Sequence, residues 1–230
     1  MNNPIMVALD TPDGESALAM ASAVAESVAA FKIGLGLLHG PGAGLISELT
    51  AIGRPVFADA KLHDIPSQVE RAARALGLAG ARWMTVHISG GAEMMAAAVA
   101  GLADGSDGSA GVLGVSVLTS LDSAALDEVG ISRQPAELVA RMAAVADSSG
   151  AEGVVCSPLE IGIVKGVAPR IATVCPGIRP AGSAAGDQRR MATPQEAVAA
   201  GATWLVIGRP ITGAGDPAAA AAEIVASLDV

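Results

Sequence analysis

The strongest constraint on what this chain can fold into is an alternation of two textures. Short apolar, β-branched runs recur along its length: IMVALD, AFKIGL, PVFADAKL, WMTVHIS, GVLGVSVLT, GVVCSP, IATVCPGI and WLVIGRP. Each reads as a strand buried on both faces, as in a parallel sheet. Between them lie Ala-rich stretches such as GESALAMASAVAESVAA, SQVERAARALGLAGA, GAEMMAAAVAGLA, PAELVARMAAVADSSGA and PQEAVAAGA. Ala, Leu, Met and Glu at this density favour helix. Thr11, Asp13, Ser67 and Thr193 offer capping side chains near several helix starts. Eight strands alternating with helices in 230 residues predict an α/β fold, a (β/α)8 TIM barrel occupying residues 1–230 as one domain. A doubly wound open sheet is the main rival. It would want G-x-G-x-x-G after the first strand, where this chain has ALDTPDGES. No linker or composition break divides the chain. AAAAA at 218–222 reads as part of the final helix. LADGSDGSAG, around Gly101 to Gly111, reads as a polar loop before the fifth strand.

Composition narrows the function classes. The formal net charge is −9, and only 2% of residues are aromatic, with no Tyr. A nucleic-acid binder is expected to carry a basic face and stacking platforms, so nucleic acid is not an expected partner. Hydrophobic residues make up 51% of the chain, but no apolar run reaches the roughly 20 residues of a spanning helix. No membrane partner is expected. MNNPIMVALD lacks a basic segment followed by an apolar core, so no secretory signal is expected and a cytoplasmic location is the default. Cys156 and Cys175 lie in apolar runs and read as buried, reduced thiols. The basic residues include only three lysines, Lys32, Lys61 and Lys165. Their positions therefore carry information.

In a barrel of this kind the active site lies at the carboxyl ends of the strands. Polar residues at those ends are Asp10 on the first strand, Lys32 on the second, Asp59 and Lys61 on the third, and His87 on the fourth. Thr119 ends the fifth, Arg179 the seventh, and Gly208 with Arg209 the eighth. Asp59 and Lys61 are two apart and share one side of a strand. Asp64 opens the following loop. A lysine among apolar strand residues is costly unless paired, and Asp59 and Asp64 are the nearby partners. Two readings stand: a structural ion-pair network that registers the barrel, or a catalytic array. The accumulation of charge at one end favours the second.

The last two strands point to an anion. Gly208 lets backbone N–H groups approach closely, and Arg209 grips with a planar fork. Loops after the seventh and eighth strands form the usual phosphate site of such barrels. PGIRPAGSAAGDQRRMATP is long, glycine-rich and basic, and reads as a lid over a phosphorylated ligand. An ordinary surface loop with solvated arginines is the alternative.

FADAKLHDIPSQV, from Phe57 to Val69, resembles the D-x-K-x-x-D-I-P signature of the orotidine 5′-phosphate decarboxylase family. VALD, FKIGL, VHISGGAEMM, VSVLTSLD, PGIRPAGSAAGDQRRMATP and VIGRP resemble family segments in the family's order, most closely those of stand-alone bacterial enzymes. The resemblance covers nearly the whole chain. It implies conversion of orotidine 5′-monophosphate to UMP and CO₂, the last step of de novo pyrimidine nucleotide synthesis, with no cofactor and no metal. Lys61 matches the lysine that protonates the ring carbon, and Asp59 the aspartate facing the substrate carboxylate. Lys32 and Asp64 complete a Lys-Asp-Lys-Asp array. The family pattern implies a homodimer in which Asp64 serves the neighbouring subunit's site. By the same matching, Asp10 and Lys32 hold the ribose hydroxyls and Thr119 meets the pyrimidine. Arg179, Gln188, Gly208 and Arg209 hold the phosphate, Gln188 closing from the lid. Ile65 and Gln68 belong with the substrate-binding positions. Gln68 and Ser67 depart from the family's usual Thr and Asn.

The chemistry explains the residue types. Decarboxylation leaves two electrons on a ring carbon that stabilises them poorly, and no cofactor motif is visible to accept them. Electrostatics must then supply the stabilisation. A lysine between aspartates stays charged and still gives up its proton, whereas Arg hardly does. His63 and His87 have no further ligands at metal-site spacing. Two rivals remain. A Mg²⁺-dependent sugar-phosphate enzyme on the same barrel would need a further acidic residue, for which Glu70 is the candidate. A non-catalytic nucleotide-binding barrel would use the phosphate grip alone.

Overall fold

A computed structural model describes residues 3–180 and 191–228. The eight apolar runs each supply a strand: β1 (Ile5–Ala8), β2 (Ala30–Ile33), β3 (Val56–Leu62), β4 (Ala81–His87), β5 (Gly111–Val115), β6 (Gly153–Val155), β7 (Ala172–Cys175) and β8 (Trp204–Ile207). They close in sequence order into a parallel barrel, β1 pairing with both β2 and β8. The helices are α1 (Gly14–Val24), α2 (Leu35–His39), α3 (Gly44–Thr50), α4 (Pro66–Leu78), α5 (Gly91–Ser106) and α6 (Ser123–Glu128). They continue with α7 (Pro135–Ser148), α8 (Ile161–Val167), α9 (Pro194–Ala199), α10 (Arg209–Thr212) and α11 (Pro217–Ala226). The open-sheet rival is excluded by closure. None of the described helices is long and apolar enough to cross a membrane.

Burial on both strand faces explains the unbroken apolar runs. Outward residues such as Val7, Phe31, Ile33, Met84 and Val86 pack under the helices. Inward residues Met6, Ala8, Ala30, Phe57, Trp83, Leu113, Val174 and Val206 fill the lumen. Alternation along a strand then assigns faces: Lys32 follows Ala30 inward, Asp59 follows Phe57, and Thr85 follows Trp83. The lumen floor is closed by charge as well. Arg82 donates from both terminal nitrogens to Glu152, at 2.8 and 3.0 Å, and the Trp83 indole donates to the same carboxylate at 2.7 Å. Arg82 lies over the Trp83 ring, which meets Trp204 edge-on.

Two local expectations need correction. Gly101–Ser106 is helical, not loop: α5 runs to Ser106, and Asp107 ends it in the left-handed conformation. The glycines that suggested a loop serve close packing instead. A Cβ on Gly101 would collide with the Glu70 carbonyl, and one on Gly105 with the Arg74 carbonyl, both on α4. The two helix backbones therefore touch, which offsets the entropic cost of glycine inside a helix. Only part of the capping pattern forms. Asp13 caps α1 by accepting from the Ser16 amide, and Thr193 forms a capping box with Glu196 on α9. Ser67 lies inside α4, whose first residue is Pro66, and Thr11 donates to the Asp13 carbonyl rather than capping. Pro at the first helical position presets the helical φ without a side-chain cap.

Candidate active site

The strands are shorter than their apolar runs, so most candidate residues stand on the segments just past the strand ends. Asp10 lies two residues beyond β1, Thr119 four beyond β5 and Arg179 four beyond β7. Gly208 directly follows β8 and precedes α10. Asp10, Lys32, Asp59, Lys61, Thr119, Arg179, Gly208 and Arg209 all line one cavity of ≈ 600 Å³ at this end of the barrel. That is ample for a nucleotide-sized ligand. Its apolar wall includes Val155, Cys156 and Val206.

Within it, charges alternate in a continuous chain. Lys32 Nζ lies 3.1 Å from Asp10 and 3.7 Å from Asp59. Lys61 Nζ donates to Asp59 Oδ2 at 2.6 Å. Lys32 is 7% exposed, which a lysine tolerates only with such partners. Burial pushes the Asp59 carboxyl upward, but Lys32, Lys61 and the hydrogen bonds from Lys61 and Thr85 outweigh it. They hold the carboxyl below the usual carboxylate range.

Lys61 does not sit on a regular strand. β3 pairs Ala58 with Met84 and then Leu62 with Val86, so four steps on β3 match two on β4. Asp59, Ala60 and Lys61 bulge opposite Thr85, and Lys61 takes a positive φ of 47°. Alternation after Phe57 carries Asp59 inward, and Lys61 reaches the same cavity from within the bulge. Thr85 is fully buried and its hydroxyl serves both ends of the bulge. It accepts from the Lys61 amide at 2.9 Å and donates to Asp59 Oδ1 at 2.9 Å. Sequence reasoning missed Thr85, because Thr in a strand reads as an ordinary β-former. Its one signal is alternation: it shares the inward face with Trp83 and His87.

Asp64, Ile65 and Gln68 stand apart from that cavity. Asp64 makes no ion pair among the described residues; its carboxylate accepts from the Ile65 amide at 2.6 Å. Asp64 and Gln68 border a second, shallower cavity of ≈ 350 Å³ together with Lys61 and His63. Ile65 is 62% exposed. Gln188 lies outside the described residues. Arg179 donates to the Ile178 carbonyl at 2.8 Å. Glu70 is exposed on α4, away from the main cavity. His63 and His87 face each other with ring centroids 5.5 Å apart. Burial, and then His63 and Lys61, push the His87 imidazolium below its ordinary pKa despite Asp59. No group of three or more His, Cys, Asp or Glu among the described residues is placed to hold a metal ion. Lys165 is structural: it donates to the Ile171 carbonyl at 2.7 Å, tying α8 to the start of β7.

Known proteins resemble the chain over its whole length. Residues 3–224 match the model of the "Orotidine 5′-phosphate decarboxylase / HUMPS family". An orotidine 5′-phosphate decarboxylase of Anaeromyxobacter sp. (strain K) is 51% identical, over 97% of this chain and 97% of its own. That of Thermobifida fusca is 46% identical, over 99% of this chain and 97% of its own. The crystal structure of orotidine 5′-phosphate decarboxylase from Lactobacillus acidophilus superposes with a TM-score of 0.88 at 35% identity, covering 100% of both chains. By sequence and by fold, the chain belongs to the orotidine 5′-phosphate decarboxylase / HUMPS family.

Proposed function

We propose that this chain is a carboxy-lyase that converts orotidine 5′-monophosphate to UMP and CO₂ in cytoplasmic pyrimidine nucleotide synthesis, with no cofactor. The observation that carries the reading is the alternating chain Asp10, Lys32, Asp59, Lys61 on one wall of a cavity that also holds Arg179, Gly208 and Arg209. In this reading the phosphate docks at Gly208 and Arg209, with Arg179 beside it and Gln188 closing over it. The ribose hydroxyls meet Asp10 and Lys32, and the pyrimidine meets Thr119. The carboxylate then lies toward Asp59 and Lys61.

Charge stabilisation and proton delivery fall to one group. Loss of CO₂ leaves an electron pair on the ring carbon, and the Lys61 ammonium stabilises it. At about 4 Å and an effective dielectric near 20, that attraction is about 4 kcal/mol. Lys61 then gives a proton to that carbon, forming the C–H bond of UMP. The ionised Asp59 pairs with the Lys61 ammonium before the reaction. Phosphate binding remote from the reacting carbon supports closure and dries the site, which strengthens each charge.

Asp64 is the fourth member of the array and acts on the neighbouring subunit's site in a homodimer. Its lack of an ion-pair partner among the described residues supports this, as does the exposed Ile65 beside it. Ile65 and Gln68 then meet the partner's substrate. Mixing Lys61→Ala with Asp64→Ala subunits should restore some activity, and no recovery in the mixture overturns the trans assignment. An ultraviolet assay of orotidine 5′-monophosphate loss tests the reaction itself. Turnover unaffected by EDTA is expected. No turnover overturns the reading, and EDTA sensitivity favours a metal-dependent enzyme.

A further inference from the structure

We propose that Thr85 is a positioning residue whose one hydroxyl sets the Asp59 carboxylate and the Lys61 backbone together. The inference rests on the function proposed above but uses a contact outside the charged array. Thr85 touches no part of the cavity; it is fully buried on β4.

The hydrogen-bond directions are determined by chemistry. An ionised carboxylate only accepts, so the hydroxyl proton points to Asp59 Oδ1. The hydroxyl's lone pair is then free to accept from the Lys61 amide. With Oδ1 engaged by Thr85, Oδ2 is left to face Lys61 Nζ at 2.6 Å and Lys32 Nζ at 3.7 Å. The carboxylate plane is thus locked, and both lysines read the same oxygen. At the other end, the amide of Lys61 sits in a bulge, where the ladder between β3 and β4 is interrupted. Thr85 supplies the acceptor there, and so holds the positive-φ backbone from which the lysine side chain projects. Without the hydroxyl, a buried amide and a buried carboxylate oxygen both lose a partner. The donor and its counter-charge then drift independently.

The test compares Thr85→Val, which keeps the shape and removes the hydroxyl, with Thr85→Ser, which keeps the hydroxyl. In orotidine 5′-monophosphate turnover, Thr85→Val should lower kcat by about 100-fold, the cost of a small misplacement of catalytic groups. UMP binding should hold, and Thr85→Ser should retain most of the wild-type rate. A folded Thr85→Val with wild-type kcat overturns the inference, as does equal loss in Val and Ser. If Thr85→Val is insoluble, Thr85→Ala replaces it under the same criteria. Amide hydrogen exchange at Lys61 reads the same bond without substrate: protection should fall in the Val variant and persist in Ser. Unchanged exchange in Val overturns the inference. An inactive wild type would sink the proposed reaction alone, and the exchange result would still decide the role of Thr85.

Discussion

The two ends of the barrel lumen each hold a charged network, built on opposite plans. At the floor, Arg82, Glu152 and Trp83 join two planar groups and an indole, and both Glu152 oxygens are engaged. Arginine suits this role: its fork is rigid and it does not release a proton. At the mouth, two lysines share a single oxygen of Asp59, and within the described residues Lys61 uses one of its three donors. A compact, proton-bearing ammonium with spare donors is poorly suited to locking a fold and well suited to meeting a changing charge. Both oxygens of each carboxylate are engaged, since Thr85 donates to the second Asp59 oxygen, so the two networks differ in the cation: a guanidinium that keeps its proton at the floor, ammonium groups that can give one up at the mouth. Glu152 is 36% exposed and structural, whereas Asp59 at 14% exposure serves the cavity.

Mutation can break that contrast at either end. The largest effect belongs to the mouth. Lys61→Ala should lower kcat by about 10⁵-fold, combining a lost general acid with lost electrostatic stabilisation. Far-ultraviolet circular dichroism and UMP binding should stay normal. A variant with near-normal turnover would erase the distinction between the two networks. At the floor, Glu152→Gln should cost about 1–2 kcal/mol, since these charged hydrogen bonds are partly exposed to water. Urea denaturation should show a lower midpoint at an unchanged slope, with kcat/KM retained. A catalytic defect there would show that the floor is not merely structural. The smallest effect concerns pH. The folded state disfavours a proton on His87, so stability falls as pH drops below its ordinary pKa of 6.5 toward the lowered folded value. His87→Gln should flatten the pH dependence of the urea midpoint in that window. Asp59 acts lower: its stabilisation is present above 3.8 and is lost as pH falls through its depressed folded pKa.

Periodicity made the barrel legible. The apolar runs located all eight strands, because strands buried on both faces leave an unmistakable texture. It overstated their length, since apolar residues continue into the loops that roof the lumen, as with Leu9 and Val117. Glycine was ambiguous: Gly101 and Gly105 read as breakers, while their purpose is contact with α4, which no local pattern reveals. The mouth of the site was legible where charge interrupts an apolar run, at Lys32, Asp59 and Lys61. It was not legible at Thr85, whose hydroxyl is inconspicuous on a strand. The floor was invisible for another reason. Trp83 and Glu152 are separated by 69 positions, and only barrel closure joins them.

The positive φ of Lys61 sets backbone strain against activity at one residue. A left-handed backbone at a residue with a side chain costs on the order of 1 kcal/mol, a cost glycine would not carry. Backbone conformation alone favours glycine at this position, whereas the ion pair with Asp59 favours the lysine. Lys61→Gly would relieve the strain, break that pair and abolish the proposed reaction. A population freed of the need for the reaction is free to lose this lysine. One selected for pyrimidine prototrophy should retain it, and carry the strain as a permanent load on the fold.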